Sequence, residues 1–335
     1  MSTGVDRLER PDELPAQWDE LAGDYYQKRE FLRHCHTYNP CRQRYYLLSC
    51  NGTLLAGAVA YTLRLDLFTF LGITSPTTLQ IIGIPASVSS SGLVGEPSLH
   101  GALLEGILPH EAGLIACLNL DSVPAGSAMF AGRTWPTIVL SNPFGSWGEY
   151  VAALRSHYRR RLCQVQDQAA GYEVRRMPCS LFTDPMHALY VEVYNRSKGK
   201  LERLDCAFFR NLPGAFSLTT YTANGALRGW TITLRDGDRF SFFLGGQDYR
   251  HSPEQLYLVK LLDVVKSGVE SGASTIDLGQ SAEVPKMRLG GKPHEKIMLA
   301  YHHRPVPRAL LRAGMGVLSY RDHFPGTCVF KEPAP

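Results

Sequence analysis

The stretch from Ser217 to Gly279 constrains the fold of this chain more than any other. Three strand-like runs, SLTTYTA (217–223), LRGWTITLRDG (227–237) and RFSFFLGG (239–246), are joined by short Asn-Gly and Asp-Gly-Asp turns and read as an antiparallel meander. An amphipathic helix, PEQLYLVKLLDVVKSGVESG (253–272), leaves that sheet, and TIDLG (275–279) returns as a strand. The β-β-β-α-β order sets the class as α/β (α+β), a mixed and mostly antiparallel sheet flanked by helices.

One such unit does not use up the chain. A length of 335 residues exceeds what one hydrophobic core usually organises, and 44% hydrophobic with 20% charged residues is ordinary globular usage, so two tandem lobes are expected. In the first half, YYLLSC (45–50) and TLLAGAVAYTLR (53–64) flank Asn51-Gly52, the turn pair of a tight hairpin. Strands at LQIIGIP (79–85), GLIACLNL (113–120) and TIVL (137–140) and a helix at 98–113 complete an α/β lobe. The turn-rich SNPFG (141–145) marks the boundary: a first lobe over 1–143, a second over 144–304, and a helix and Pro-containing tail over 305–335. Ser146-Trp147-Gly148-Glu149 has capping-box spacing, and apolar residues from Trp147 through Tyr150, Leu154, Tyr158, Leu162 and Val165 predict one helix of about six turns at 3.6 residues per turn. The other face of that helix carries Arg155, Arg159, Arg160 and Arg161, a basic surface suited to phosphates or simply to solvent.

Several chemistries are absent from the sequence. The N-terminus lacks the basic start and apolar run of a signal peptide and no run is long enough to span a bilayer, so a cytoplasmic protein without a membrane span is expected. Eight cysteines are scattered without a CxxC pair, and His34-Cys35-His36 with Cys41 lacks a second ligand pair, so neither a disulfide framework nor a metal is expected. No G-x-S-x-G elbow, Walker A sequence or G-x-G-x-x-G fingerprint occurs. The small residues of GIPASVSSSG (83–92) allow an anion-binding nest, although a flexible connection is the simpler reading.

The order of residues from 239 to 291 resembles the second lobe of the two-lobed Fem-type acyltransferases of the GNAT superfamily. The resemblance lies in Leu244-Gly245-Gly246 with Asp248-Tyr249, a long helix ending at Gly272, Asp277-Leu278-Gly279, and Lys286 ahead of Leu289-Gly290-Gly291. The segment SWGEYVAALRSHYRRRL is similar to the one that opens the second lobe in that group. The similar regions cover about half the chain.

That resemblance implies an N-acyltransferase. An amine attacks an activated carbonyl, a base takes its proton, and backbone donors hold the tetrahedral oxyanion, with no bound cofactor. Asp248, in the loop where the meander meets the helix, is the expected proton acceptor or else a turn cap; Tyr249 and Asp277 stand beside it as catalytic candidates. Lys286 is carried over from the family as a substrate-channel lysine, with Tyr257 and Arg288 as further substrate-binding candidates and His251 as a weaker base. One departure bears on the donor. Acetyl-CoA enzymes of the superfamily carry a Q/R-x-x-G-x-G/A turn before the long helix, whereas this chain reads GGQDYRHSPEQ there. Aminoacyl-tRNA thereby gains over acyl-CoA as donor, with Arg155, Arg159, Arg160 and Arg161 and the C-terminal Arg304, Arg308 and Arg312 available to tRNA phosphates. The acceptor is an amine of a small molecule or peptide. A non-catalytic binding module with the same fold is the alternative from another class.

Overall fold

The computed structural model describes residues 4–66, 76–197, 202–251, 253–321, 324 and 326–331, so the last four residues of the Pro-containing tail lie outside it. The chain divides into two units: Met1–Trp135 with Leu201–Leu204 and Glu295–Asp322, and Pro136–Lys200 with Asp205–His294 and His323–Pro335. The boundary therefore differs from the expected break at 141–145. It falls inside a strand, because the chain crosses from one unit to the other in extended conformation and crosses back between His294 and Glu295.

Unit one holds β1 (Val5–Leu8), α1 (Gln17–Leu21), α2 (Arg29–Tyr38), β2 (Gln43–Cys50), β3 (Thr53–Asp66), β4 (Pro76–Ile82), β5 (Leu93–Gly95), α3 (His100–Ile107), β6 (Leu114–Leu120) and the first half of β7 (Phe130–Ser141). Strands β1 to β4 run antiparallel to their neighbours, and β4 pairs in parallel with β6. The β2–β3 hairpin turns on Asn51 (φ +50°) and Gly52 (φ +79°), both left-handed, which is why that pair occupies the turn. Tyr45 and Tyr46 point to opposite faces and both are fully buried, so this sheet is covered on both sides. One face meets Leu103, Leu104 and Ile107 of α3. On β3, Gly57 is required, since a Cβ would lie 2.3 Å from the Trp18 ring. Arg44 is buried in a two-pronged ion pair with Glu111, Nε to Oε1 at 2.7 Å and Nη2 to Oε2 at 3.0 Å, and the Tyr46 hydroxyl donates to the same carboxylate at 2.6 Å.

Unit two opens with α4 (Trp147–Ala153) and α5 (Ser156–Ala169). The single helix expected here is broken. Leu154 and Arg155 are extended (ψ 139° and 150°) because they pair with the C-terminal segment: Leu154 bridges Phe330, and Arg155 N–H donates to the Val329 carbonyl at 2.9 Å. Ser146 caps α4 by accepting from Glu149 N–H at 3.2 Å, while the Glu149 carboxylate reaches Gly145 N–H, one residue before the position a capping box uses.

The chain continues through β8 (Glu173–Pro178), α6 (Asp184–Arg196), α7 (Cys206–Arg210), β9 (Phe216–Ala223), β10 (Ala226–Asp236), β11 (Arg239–Gln247), α8 (Pro253–Glu270), β12 (Thr275–Gln280) and α9 (Glu283–Met287). Within the unit the order is the second half of β7, then β12, β11, β10, β9 and β8. Helix α8 turns Leu256, Val259, Val264, Val265 and Val269 into the core, each 2% exposed or less, and full burial of such side chains stabilises by about 1.5–3 kcal/mol apiece. Returning to unit one, β13 (Lys292–His302) pairs with β6, and α10 (Pro305–Leu318) follows as expected for ALLRAGMGVLSY. Among the described residues no helix is long and apolar enough to cross a membrane. The class read from the sequence holds: helices flank mixed, mostly antiparallel strands in both units.

Candidate functional site

Two neighbouring strands of unit two part company, and the site is built on that parting. β11 and β12 pair in parallel only from Arg239↔Thr275 to Ser241↔Asp277. Beyond this β11 stays with β10 as far as Gly229↔Gln247, while β12 stays with β7 as far as Gln280↔Thr137. A wedge opens between them. A bulge at Phe243, where the register slips between Ile232 and Thr233, bends β11 as it leaves its neighbour.

The β11 lip is set by how that strand pairs with β10. Asp248 N–H donates to the Arg228 carbonyl at 2.8 Å, so alternation along an antiparallel ladder turns Gly246 toward β10 as well. The N–H and C=O groups of Gly245 then face the wedge. Side-chain-free residues are required at 245 and 246 for packing: a Cβ at Gly246 would sit 2.2 Å from the Trp230 indole, and one at Gly245 would sit 3.0 Å from the Trp230 carbonyl.

On the opposite lip the chain leaves β12 through Gly279 (φ +74°), Ser281 (φ +60°) and Ala282 (φ +50°). Left-handed conformations at two adjacent non-glycine residues cost about 1 kcal/mol or more each and concentrate where a site dictates the backbone path. The tight turn folds Lys286 of α9 back onto the strand end. Its Nζ donates to the Gly279 and Gln280 carbonyls at 3.0 and 2.8 Å, and the side chain is buried. Burial pushes the Lys286 amine down to about 7, against the opposing pull of Asp277 and Glu283. Asp277 itself is a brace of the turn, its Oδ1 accepting from the Thr137 hydroxyl at 2.6 Å and Gly279 N–H at 2.8 Å.

Asp248 is placed differently from the proton acceptor expected of it. Its carboxylate, 1% exposed, meets Arg250 Nε at 2.9 Å, Arg250 N–H at 3.0 Å, Arg228 Nη1 at 3.2 Å and His251 Nδ1 at 3.2 Å. The Arg250 hydrogen bonds above all hold it well below the usual carboxylate range. A carboxylate so held takes up a proton poorly, so this geometry suits an anchor for the loop ahead of α8. Tyr249 lies under the Arg196 guanidinium, 4.2 Å from ring centre to Cζ. Tyr257 is held well above the usual phenol range, by burial first and then by Glu283 and Tyr249, which brings these three residues into one neighbourhood.

The remaining sequence candidates lie elsewhere in the unit. Arg288, with Arg161, borders a small apolar cavity of about 30 Å³ between α5 and α8, lined by Leu162, Val165, Leu258 and Leu262. Arg155 is tied to the Phe330 carbonyl at 3.0 Å. Among the described residues no ion pair engages Arg159, Arg160 or Arg161 on α5.

In unit one, His34 and Cys35 are buried while His36 is exposed, so His36 lies apart from its two neighbours. The serine-rich loop at 83–92 holds a carboxylate of the chain itself, the Ser87 hydroxyl donating to Oε1 of Glu202 at 3.1 Å. Glu202 is buried and pushed up to about 7 by that burial.

One lysine was missed in the sequence. Lys260 of α8 is buried, and its Nζ donates to the Gly246 carbonyl at 2.9 Å. Burial alone pushes its amine down to about 7. The signal was available: position 260 lies four residues from both Leu256 and Val264, so a charge stands on the buried stripe of a helix.

Known proteins give the fold a context. Residues 152–287 match the family model described as an acetyltransferase (GNAT) domain. The structure of FemX is 13% identical, with a TM-score of 0.55 over 92% of this chain and 100% of that one. The C-terminal domain of a putative lysylphosphatidylglycerol synthetase from Agrobacterium fabrum is 10% identical, with a TM-score of 0.56 over 88% and 92%. A tandem GNAT protein from the clavulanic acid biosynthesis pathway is 11% identical, with a TM-score of 0.52 over 90% and 99%. At these identities the likeness is one of fold. No curated protein matches in sequence. The resemblance to two-lobed GNAT proteins read from the sequence stands, and the domain match supports an acyltransferase of GNAT type.

Proposed function

We propose that this chain, whose residues 152–287 match the GNAT domain, is an N-acyltransferase that moves an aminoacyl group from tRNA to an amine of a small molecule or peptide. The observation that carries the reading is the wedge between β11 and β12, with the β11 edge that β12 has left on one lip and the buried Lys286 on the other. The ester carbonyl of the donor lies in the wedge, where Gly245 N–H donates to its oxygen. The acceptor amine attacks that carbon, a C–N bond forms, and negative charge gathers on the oxygen. As an ammonium, Lys286 has three protons, two engaged by the Gly279 and Gln280 carbonyls; the third serves the developing oxyanion. When the C–O bond breaks, the departing ribose oxygen takes the proton the amine loses, so no carboxylate base is needed and Asp248 is left to hold its loop.

The choice of donor rests on the N-terminus of α8. Pro253 at its first position has no N–H to offer, and Glu254 in the first turn repels anions. Asp248 already engages the cations nearby. A diphosphate finds little there, whereas Arg159, Arg160 and Arg161 are open to a polyanion.

Filter retention of charged bulk tRNA, set against a thermal shift with acetyl-CoA, tests the donor. Each phosphate contact contributes a slope of roughly −0.7 to −0.9 to log K against log salt, so three arginines make binding about four- to sixfold weaker when salt doubles. Salt-sensitive retention without a response to acetyl-CoA is the expected result. A thermal shift with acetyl-CoA and no retention of tRNA contradicts the proposal and returns the chain to acyl-CoA chemistry.

A further inference from the structure

Among the described residues, Lys260 has no counterion to explain its burial. It is 4% exposed on α8, no carboxylate among the described residues offsets the loss of water, and its Nζ donates to the Gly246 carbonyl at 2.9 Å. An apolar residue would fill that position on the stripe at no such cost. The path of the side chain is prepared for it. Gly229 on β10 leaves room for the stem, a Cβ there meeting Lys260 Cδ at 3.3 Å and the Gly246 carbonyl at 3.0 Å. Trp230, fixed by donation from Nε1 to the Met186 carbonyl at 2.8 Å, forbids a side chain at Gly246. The lip of the wedge is thus made of consecutive glycines, the residues with most backbone freedom to lose. Its far edge is not held by β12, whose pairing with β11 ended at Ser241.

We propose that Lys260 is a positioning residue that clamps the Gly245–Asp248 end of β11 through the Gly246 carbonyl, so that the wedge-facing N–H of Gly245 keeps its aim at the acyl carbonyl. The proposal rests on the acyltransfer reading for its purpose but not for its geometry. Lys260 never touches substrate; it acts through the strand. A lysine suits the task because an ammonium donor makes a stronger hydrogen bond to a carbonyl than a neutral one, and four methylenes cross the core to reach it.

The test is Lys260→Met, which keeps the stem volume and removes the donor. Because the buried amine is costly to the fold, the variant is expected to melt at or above the wild-type temperature. Amide hydrogen exchange at Gly246 and Asp248, the amides turned toward β10, is expected to quicken at least tenfold while β9 and β12 are unchanged. Turnover with charged tRNA is expected to fall about tenfold in kcat with KM held, the mark of a contact felt in the transition state. A stability-preserving loss of activity is not what a merely structural lysine produces. Lys260→Gln, a shorter neutral donor, serves as a second variant should the methionine fail to fold, with exchange expected between the two. Unchanged exchange at Gly246 and Asp248 overturns the clamp, as does quickening spread over the whole unit with a lowered melting temperature. Local quickening in a protein that acylates nothing upholds the clamp and overturns only the reaction it was placed to serve.

Discussion

Lys286→Met lowers amide formation about 10²–10³-fold, the effect of removing one preorganised donor from a developing oxyanion. Arginine does not rescue it, since a planar guanidinium cannot replace a compact ammonium between the Gly279 and Gln280 carbonyls. The substitution also has a pH signature. In the unfolded chain the amine titrates near its ordinary 10.5, whereas burial brings it to about 7 in the fold. Between those values the unfolded state binds more protons, so the contribution of Lys286 to stability rises with pH from about 7 toward 10 and is lost as pH falls back through 7. The stability of wild type relative to Lys286→Met therefore climbs over that window, and urea titrations of both proteins at pH 7 and 9 measure it. Single-turnover rates within threefold of wild type would remove Lys286 from the mechanism.

Glu111→Ala destabilises unit one by about 3–5 kcal/mol, the usual consequence of stripping a buried charge of its partner. The Arg44 guanidinium would keep only the Thr62 hydroxyl and the Gln80 amide oxygen, each at 2.8 Å, and Tyr46 would lose its acceptor. The pair is a device of architecture: β2 carries Arg44, and Glu111 follows α3, so one contact fixes the helix end over the sheet. Replacing both, as Arg44→Met with Glu111→Leu, recovers most of the loss, because two apolar groups have no desolvation to compensate. Urea unfolding monitored in unit one measures all three. A loss under about 1 kcal/mol for the single variant means the arginine finds water in the fold.

The β-β-β-α-β order was legible because each signal was local: two-residue periodicity, turn glycines and a 3.6-residue stripe. Asn224 and Gly225 take φ +52° and +72°, as an Asn-Gly hairpin turn demands. What escaped depends on distant partners. β13 is half polar, with only Leu299 and Ala300 buried among its eleven residues, and is a strand because β6 lies beside it. The helix from Ser146 breaks at Leu154 because residues 329–331 pair there, about 175 positions later in the chain.

The site divides in the same way. Lys286 could be picked out through the Fem-type resemblance, and the Leu-Gly-Gly run did mark a lip of the wedge. The sequence put an acid at Asp248 but could not show Arg228, brought in from β10, completing its ring of cations. Lys260 was in plain view as a charge on a buried stripe, yet its partner is a backbone carbonyl, which no side-chain motif announces.

The most direct measurement is backbone hydrogen exchange of the wild-type chain with and without a tRNA whose aminoacyl group is attached by a stable amide. The account predicts protection at Phe242–Gln247 and Gly279–Lys286, the two lips of the wedge, with β9 unaffected. Binding of that tRNA with protection confined to elements other than β11, β12 and α9 would contradict it.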